Sequence, residues 1–249
     1  MPTTITDDRD AELRALMMMA SHDMKSPLAT VSAHVQMLRE DYADELGDEF
    51  RRDLAAIERA LRRMSQLTQD LLDYARADHT LDRSPVELRE IIGEVITDHV
   101  AEPDEALVTL TGTWPVVTGD AGLLRHVLDN LIGNAVKYTP AGVAPQIEIE
   151  AWALPDGGIR VEVADHGIGV PAEDRQKIFD AFHRCANTGG RLGTGLGLAI
   201  CRRIIERHGG TIGVEENIGG GSRFWFDLPS GAGADHTPPT PFAHQKLFR

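Results

Sequence analysis

The sequence lacks any long hydrophobic run and has few cysteines. No stretch approaches the ~20 consecutive apolar residues that a membrane-spanning helix needs. The N-terminal segment carries acidic residues where a signal peptide carries basic ones. The two cysteines, Cys185 and Cys201, are too few for a disulfide framework or a four-cysteine zinc site. We therefore expect a soluble cytoplasmic protein with reduced thiols.

The sequence also lacks an excess of basic residues. Its 249 residues include 25 Lys and Arg against 39 Asp and Glu, which gives a formal net charge of −14. Because a nucleic-acid-binding protein needs a basic surface to meet the phosphates, we expect no nucleic acid as a partner. The same balance disfavours an anionic membrane surface. The length suggests one or two domains.

Apolar residues in the first 78 positions recur in steps of three and four, which predicts two amphipathic helices around a polar break at 41–48. The first stripe comprises Leu13, Leu16, Ala20, Met24, Leu28, Val31, Val35 and Leu38. The second comprises Leu54, Ile57, Leu61, Met64, Leu67, Leu71 and Ala75. We expect an all-α antiparallel helical hairpin that forms a four-helix bundle as a homodimer, because one narrow stripe per helix buries poorly alone. A coiled-coil spacer without chemistry is the alternative.

From residue 86 onward, the pattern changes to a mixture of strands and helices. Helices are predicted over 86–100, 122–136, 175–182 and 195–208. Strands are predicted over 107–113, 146–153, 158–165, 211–215 and 222–228. A mixture without regular βαβ alternation favours an α+β two-layer sandwich.

One segment of the first helix, Ser21-His22-Asp23-Met24-Lys25-Ser26-Pro27, carries candidate chemistry. Pro27 frees the backbone carbonyl of Asp23, which predicts a bend beside His22. His22 and Ser26 share one helix face. An exposed imidazole with a neighbouring carboxylate can act as a nucleophile, whereas the alternative is a histidine that is merely solvated. Adjacent residues point about 100° apart on a helix, so Asp23 need not contact His22.

A second candidate lies on the helix predicted around residue 130. One face of it carries His126, Asn130, Asn134 and Lys137, at i, i+4, i+8 and i+11. The opposite face is apolar and comprises Leu124, Val127, Leu128, Leu131 and Ala135. Two amides and a lysine in line can hold a magnesium–phosphate group, since Mg²⁺ prefers oxygen ligands. A solvated face with chance asparagines is the alternative, although asparagine is a mediocre helix former.

Two glycine-rich segments follow. Asp165-His166-Gly167-Ile168-Gly169 comes after a predicted strand, where glycines allow a tight turn and the carboxylate can accept a hydrogen bond. The segment 193–198 opens a helix with three glycines, and backbone amides at such a position suit phosphate. Its glycine spacing matches neither the dinucleotide-binding fingerprint nor the P-loop. Between the two segments, 178–191 contains two phenylalanines, Arg184 and Arg191, and is typical of a mobile lid.

In this order, the motifs resemble a two-component sensor histidine kinase over about residues 10–229. The first region is similar to the dimerisation and histidine-phosphotransfer hairpin. The second resembles the ATP-binding domain shared by gyrase, heat-shock chaperone, histidine kinase and MutL. The resemblance implies a hairpin at 10–78 after a lead at 1–9. A linker at 79–85, a catalytic domain at 86–229 and a disordered tail at 230–249 complete the expected organisation.

The resemblance also implies roles for individual residues. His22 would be the phosphoacceptor, Asp23 the assisting acid or base, and Ser26 the position associated with dephosphorylation of the regulator. Asn134, with Asn130 beside it, would bind Mg²⁺, and Asp165 would accept from the adenine amino group. The remaining residues expected at the ATP site are Lys137, Tyr138, Gly167, Gly169, Phe179, Phe182, Arg184, Gly193, Thr194, Gly195, Leu196 and Gly197.

The implied reaction is ATP-dependent phosphorylation of His22, followed by transfer to an aspartate of a response-regulator receiver domain. Lys25-Ser26 replaces the more usual Arg-Thr or Arg-Asn, which leaves phosphatase activity open, and His166 replaces a common Asn or Thr. No sensor domain precedes the hairpin, so we expect either a longer parent protein or a separate sensor partner. The alternatives are a nucleotide-binding scaffold, and an ATPase or serine kinase of the same superfamily.

Overall fold

The computed structural model describes residues 4–42, 47–76, 80–100, 106–189, 191, 193–229 and 245–246. For some residues of the two N-terminal helices, His22 among them, the description covers the backbone and not the side chain. The chain divides into a helical unit (Met1–Asp78 with Leu192–Thr194) and an α+β unit (His79–Arg191 with Gly195–Arg249). No helix in the described ranges has an apolar stretch of the length required to cross a bilayer.

The helical unit is the expected hairpin of two long helices, α1 (Thr4–Asp41) and α2 (Asp48–Arg76). Helix α1 continues through Pro27 without interruption. The core between the helices is a cluster of four aliphatic side chains: Leu28, Val35, Leu54 and Leu61. The prediction of a helical hairpin is therefore confirmed.

The single apolar stripe read on each helix divides into two rows in the structure. Leu28 and Val35 are buried, whereas Val31 between them is 46% exposed. On α2, Leu61 is buried while Ile57 and Met64 are each 44% exposed. Alternate steps of three and four thus place one row inside the hairpin and a second row on its surface. The outer row is apolar, and one hairpin alone does not bury it.

The α+β unit contains a six-stranded sheet with the order β6-β7-β5-β4-β2-β8 and a separate β1-β3 pair. The strands are β1 (Ser84–Val86), β2 (Leu107–Gly112), β3 (Val117–Gly119), β4 (Gln146–Ala153), β5 (Ile159–Asp165), β6 (Thr211–Glu216), β7 (Ser222–Leu228) and β8 (Gln245–Lys246). Strand β2 runs parallel to β4, and the other pairs are antiparallel.

Three helices complete this unit: α3 (Leu88–His99), α4 (Ala121–Lys137) and α5 (Gly197–Arg207). Helix α4 packs on β4 and β5, and α5 packs on β6 and β7. Buried and more exposed residues alternate along β4 and β7, which is the pattern of a sheet covered on one face. On the other face, Arg160 forms a bidentate pair with Asp227 at 2.6 and 2.7 Å. The two-layer α+β sandwich is confirmed.

One predicted helix is wrong, two short strands were not predicted, and Val86, predicted as the start of a helix, lies in strand β1. The helix predicted over 175–182 is wrong, because only a 3₁₀ turn (Lys177–Phe179) forms there and Phe182 adopts a positive φ of 65°. The short strands β1 and β3 carry no periodic signal, and the sequence did not predict them. In the predicted tail at 230–249, Gln245–Lys246 pairs with β2, while the other positions lie outside the described residues and that prediction stays a prediction.

Candidate active site

Helix α4 presents the polar face that the sequence predicted. The side chain of Asp120 caps it by accepting from Leu123 N at 3.1 Å, which fixes where the helix begins. The predicted apolar residues are all buried: Leu124, Val127, Leu128, Leu131 and Ala135. On the opposite face, Asn130 and Asn134 are half-buried and Lys137 is exposed, with its Nζ 4.9 Å from the Tyr138 ring centroid. The amides therefore border the core, and the lysine extends toward solvent.

The orientation of Asn130 follows from its neighbour one turn earlier. Its Nδ2 lies 2.9 Å from His126 Nε2 and donates to His126 O at 3.2 Å. Because the amide nitrogen is used in this way, Oδ1 points away from the helix, toward the first residue of α5. A Cβ built on Gly197 would overlap Asn130 Oδ1. The structure thus brings together two motifs that lie 67 positions apart in the chain.

Asp165 ends strand β5 and is only 5% exposed. Its Oδ1 accepts from the backbone N–H groups of Gly167 at 2.8 Å and Ser222 at 3.2 Å. Burial raises the pKa of Asp165 above its ordinary value, and the two backbone hydrogen bonds oppose that rise. Both of these bonds fall on Oδ1, so the carboxylate has a fixed direction. A ligand N–H can be recognised by such a group.

The turn after Asp165 is attached to the C-terminal end of α4. The N–H of Ile168 donates to Tyr138 O at 3.1 Å, and a Cβ on Gly167 would lie 2.8 Å from that same oxygen. Gly169 has a φ of +72° and lies against the backbone of Gly221. Of the predicted residues, Tyr138 therefore contacts Gly167, and Gly169 lies two positions further along the same turn.

The phenylalanine segment contacts the glycine-rich segment that opens α5. Phe179 is buried, whereas Phe182 is 61% exposed and so does not anchor the segment through its ring. The backbone holds it instead, since Phe182 N donates to Gly195 O at 2.9 Å. Gly195 has a φ of +76°, and a Cβ there would lie 2.8 Å from Phe182 Cα. Only glycine can adopt this positive φ and also allow the close approach of the Phe182 backbone at position 195 without strain.

The other predicted residues of this region lie close by in the chain. Leu196 is 1% exposed immediately before α5, and Gly193 and Thr194 precede it in irregular structure. Arg184 Nη2 donates to Arg191 O at 2.5 Å, and Arg191 Nη2 donates to Thr139 O at 3.0 Å. The two arginines thus tie the segment to itself and to the end of α4.

The predicted phosphoacceptor segment lies within helix α1 of the other unit. The backbone of His22 is helical, and its side chain lies outside the described part of the chain. Asp23 and Ser26 are exposed, and Ser26 O accepts from the hydroxyl of Thr30 at 3.0 Å. Lys25 Nζ donates to Gln69 Oε1 at 2.8 Å across the hairpin. Asp23 and Ser26 therefore lie on the accessible surface of the hairpin.

The sequence did not point to three residues that shape the site. Asn217 Nδ2 donates to Asp165 O at 3.0 Å, and Ser222 supplies an N–H to its carboxylate. Asn187 Nδ2 donates to Gly169 O at 3.0 Å. The antiparallel pairing of β5 with β7 brings the first two close to Asp165. Apart from the glycines at 219–221 that close this strand connection, no local signal marks them.

Two family models match this chain. Residues 12–80 match the His Kinase A (phospho-acceptor) domain, and residues 119–232 match the histidine kinase-, DNA gyrase B-, and HSP90-like ATPase. The first match covers the hairpin and His22. The second contains Asn130, Asn134, Asp165 and the glycine-rich opening of α5.

Two similar curated proteins are named as histidine kinases. The methanogenesis regulatory histidine kinase FilI of Methanothrix harundinacea is 35% identical over 229 residues, which is 89% of this chain and 25% of that protein. The sensor histidine kinase AruS of Pseudomonas aeruginosa is 37% identical over 237 residues, 88% of this chain and 23% of that protein. The chain thus spans about a quarter of the length of these curated relatives.

Solved structures agree at the level of fold. Full-length ShkA, determined in complex with AMPPNP, matches with a TM-score of 0.68 and 31% identity over 86% of this chain and 45% of that one. The catalytic domain of ThkA matches with a TM-score of 0.51 and 31% identity over 60% of this chain and 96% of that one.

Proposed function

This chain belongs to the two-component sensor histidine kinases, and we propose that it transfers the γ-phosphoryl group of ATP to His22. From there the group passes to an aspartate of a response-regulator receiver domain. The observation that supports the nucleotide site best is Asp165, a buried carboxylate whose Oδ1 is held by two backbone amides. Its Oδ2 would accept from the exocyclic amino group of adenine. A hydrogen bond to a buried charged group contributes about 1.5–3 kcal/mol, which is enough to select adenine.

The polar face of α4 fits a magnesium–triphosphate. Mg²⁺ takes oxygen ligands, and Asn130 offers Oδ1 because its Nδ2 is used by His126. Asn134 supplies a second amide one turn later on the same face. When bound, Mg²⁺ neutralises charge on the phosphate oxygens. Lys137 and the backbone amides at Gly195 and Gly197 would bind the remaining phosphate charge.

The phosphoryl transfer itself needs a positioned nucleophile and little covalent chemistry from the protein. A ring nitrogen of His22 forms the bond to the γ-phosphorus as the bond from that phosphorus to its bridging oxygen breaks. ADP leaves with that electron pair. Asp23 would hold the proton on the other ring nitrogen, which leaves the attacking nitrogen with a free lone pair.

A homodimer is part of this proposal. The outer row of the hairpin, which contains Val31, Ile57 and Met64, is apolar and exposed in a single chain. Packing two hairpins through these rows would bury them in a four-helix bundle. The phosphoacceptor domain that matches residues 12–80 is consistent with such an arrangement.

The proposal can be tested with radiolabelled ATP and the purified chain. We expect the wild type to acquire a phosphate that is labile in acid and stable in base, and His22→Ala to acquire none. His34→Ala is the matched control, since His34 is an exposed histidine on the same helix whose Nδ1 faces Thr30 O at 2.8 Å. It should keep full labelling. Label that survives in His22→Ala would overturn the assignment of the phosphoacceptor.

A further inference from the structure

Three side chains with metal-binding atoms converge beside the phenylalanine segment. They are Asp174, His183 and Cys185, and their ligand atoms all lie within 4.8 Å of one another. His183 Nε2 is 3.0 Å from Asp174 Oδ1. All three side chains are partly buried. None of them has a role in the nucleotide site described above.

The backbone places these groups independently of one another. Asp174 is held by a turn in which its N–H donates to Pro171 O at 2.9 Å. The positive φ of Phe182 reverses the chain just before His183, whose N–H donates to Asp180 O at 3.2 Å. Cys185 precedes a 3₁₀ turn (Ala186–Thr188), and the Thr188 hydroxyl donates to Cys185 O at 3.1 Å. The three side chains therefore converge because of backbone turns and hydrogen bonds, and no bound ion is needed to bring them together.

We propose that Asp174, His183 and Cys185 bind one divalent transition-metal ion, and that Zn²⁺ is the ion that fits best. Thiolate, imidazole and carboxylate are the three ligand types that Zn²⁺ accepts together, whereas Mg²⁺ and Ca²⁺ select oxygen. Bonds of about 2.0–2.3 Å in a tetrahedral site separate ligand atoms by about 3.2–3.8 Å. The His183 Nε2–Asp174 Oδ1 distance of 3.0 Å lies just below that range, and no pair of ligand atoms is more than 4.8 Å apart, so small side-chain rotations complete the site.

The charges and the coordination number also match. Asp174 and a thiolate at Cys185 together carry two negative charges, which neutralise a divalent cation, and His183 binds as the neutral imidazole. On binding, the aqua ion releases all but one of its water ligands, three bonds from the metal to the protein form, and the thiol proton passes to solvent. Three protein ligands leave a fourth position for water. Without a metal, Asp174 can pair with His183 and also accept a hydrogen bond from the Cys185 thiol, and the cobalt titration distinguishes that arrangement from a metal site.

The bound ion would join two segments that are close in space but nine residues apart in the chain. One is the turn at Asp174, and the other is the segment from His183 to Cys185, next to the Phe182–Gly195 contact. We expect the ion to stabilise this part of the fold. The inference does not depend on nucleotide binding or on phosphorylation of His22.

Cobalt provides a direct test, because a thiolate bound to Co²⁺ gives a near-ultraviolet charge-transfer band and tetrahedral Co²⁺ absorbs strongly in the visible. The untagged 249-residue chain, stripped of metal and kept reduced, would be titrated with Co²⁺ and then with Zn²⁺. We expect one Co²⁺ per chain with both bands, loss of both on adding Zn²⁺, and no effect of excess Mg²⁺. Zn²⁺ should also raise the Tm.

Variants separate this site from other binding. Cys185→Ser should lose the charge-transfer band, and Asp174→Asn should bind Co²⁺ at least about tenfold more weakly. Cys201→Ala is the matched control, since Cys201 is the other thiol and is fully buried on α5. It should keep the band. Circular dichroism would verify that each variant is folded. A folded wild type without the band, or the band in folded Cys185→Ser, would overturn the proposal.

Discussion

Gly197, the first residue of helix α5, lies directly against the side-chain amide of Asn130 on helix α4, so that any β-carbon at position 197 would overlap Asn130 Oδ1. The contact joins the proposed magnesium ligand to the glycine-rich segment proposed to hold phosphate. A residue with a side chain at 197 therefore displaces a ligand group as well as crowding the phosphates. Because of the Gly197–Asn130 contact, a side chain at position 197 should disturb both the packing of α5 against Asn130 and the binding of nucleotide.

Gly197→Ala should lower the affinity for Mg²⁺–ATP by about tenfold or more, which corresponds to about 1.4 kcal/mol or more. The added methyl group forces Asn130 to rotate and breaks its contacts with His126. Isothermal titration calorimetry with ATP would measure the change. Gly122→Ala is the control, because Gly122 also lies in the first turn of a helix and its Cβ would meet only Asp120 Oδ1 at 3.5 Å. Equal affinity losses in both variants would contradict the argument.

Asp165→Asn should weaken ATP binding by about 5- to 150-fold while leaving the free energy of unfolding at neutral pH unchanged or higher. The amide can keep Oδ1 as the acceptor for Gly167 and Ser222, but its NH₂ group would face the adenine amino group, a loss of about 1–3 kcal/mol in binding.

The raised pKa of Asp165 means that the folded state binds its proton more tightly than the unfolded state does. The stability associated with that proton is lost as pH rises from the unfolded pKa through the folded one. Urea denaturation and calorimetry at pH 7 would separate the two effects, and a large fall in stability with intact ATP binding would contradict them.

His208 should make the protein less stable as pH falls below about 6.5. Its side chain is buried, its Nε2 accepts the N–H of Asp120 at 3.0 Å, and its Nδ1 faces Ile204 O at 2.8 Å. Burial lowers the pKa of His208, so the unfolded state takes up a proton that the folded state resists. We expect the unfolding free energy to fall between pH 7 and pH 5.5 in the wild type and to fall less in His208→Gln. An equal pH slope in both proteins would exclude His208 as the cause.

His99 should act in the opposite direction. Its Nε2 lies 3.0 Å from Asp129 Oδ1, and this hydrogen bond raises the pKa of His99. The folded state therefore binds the proton more tightly, so this contribution is fully present below pH ~6.5 and is lost as pH rises through the folded pKa. Urea denaturation of His99→Gln between pH 6 and pH 8.5 should show a smaller decline than the wild type shows. A wild-type decline that persists unchanged in His99→Gln would argue against this pair.

Met64→Asp should convert the proposed dimer to a monomer without unfolding the hairpin. Met64 belongs to the outer apolar row and is 44% exposed in one chain, so a carboxylate is tolerated there until a second hairpin buries it. Arg63→Asp, one residue earlier at an exposed position, is the control and should keep the dimer. Light scattering after size-exclusion chromatography measures the mass. A wild-type monomer, or a Met64→Asp dimer, would contradict the predicted interface.

Much of helix α4 was predictable because its information is local. The periodicity of Leu124, Val127, Leu128 and Leu131 determines the buried face, and the polar face with Asn130 and Asn134 follows from the 3.6-residue repeat. The strands β4 and β5 and their hairpin turn were predictable for the same reason. The predicted helix over 175–182 failed because Phe182 adopts a left-handed backbone that a contact with Gly195, 13 positions later, imposes.

The division of the hairpin stripe into two rows shows another limit. Leu28 and Val31 have similar apolar character, and only the position of α2 decides that Leu28 is buried and Val31 exposed. Likewise, the sequence predicts only that Cys185 is a reduced thiol, and it gives no reason to group Cys185 with Asp174 and His183. Their convergence depends on turns whose hydrogen bonds connect to other segments.

By itself, the sequence determined the two kinds of domain, the polar face of α4 and the glycine-rich turns, because periodicity and backbone freedom are properties of neighbouring residues. The role expected of the Asp165 carboxylate followed from the resemblance to the histidine kinases. The tertiary structure alone decided which atoms surround that carboxylate. The register of β5 against β7 pairs Ala164 with Arg223 and so brings Ser222 N and Asn217 to Asp165 from more than fifty residues away. Hydrogen bonds between distant strands depend on the sheet as a whole, and no local pattern encodes them.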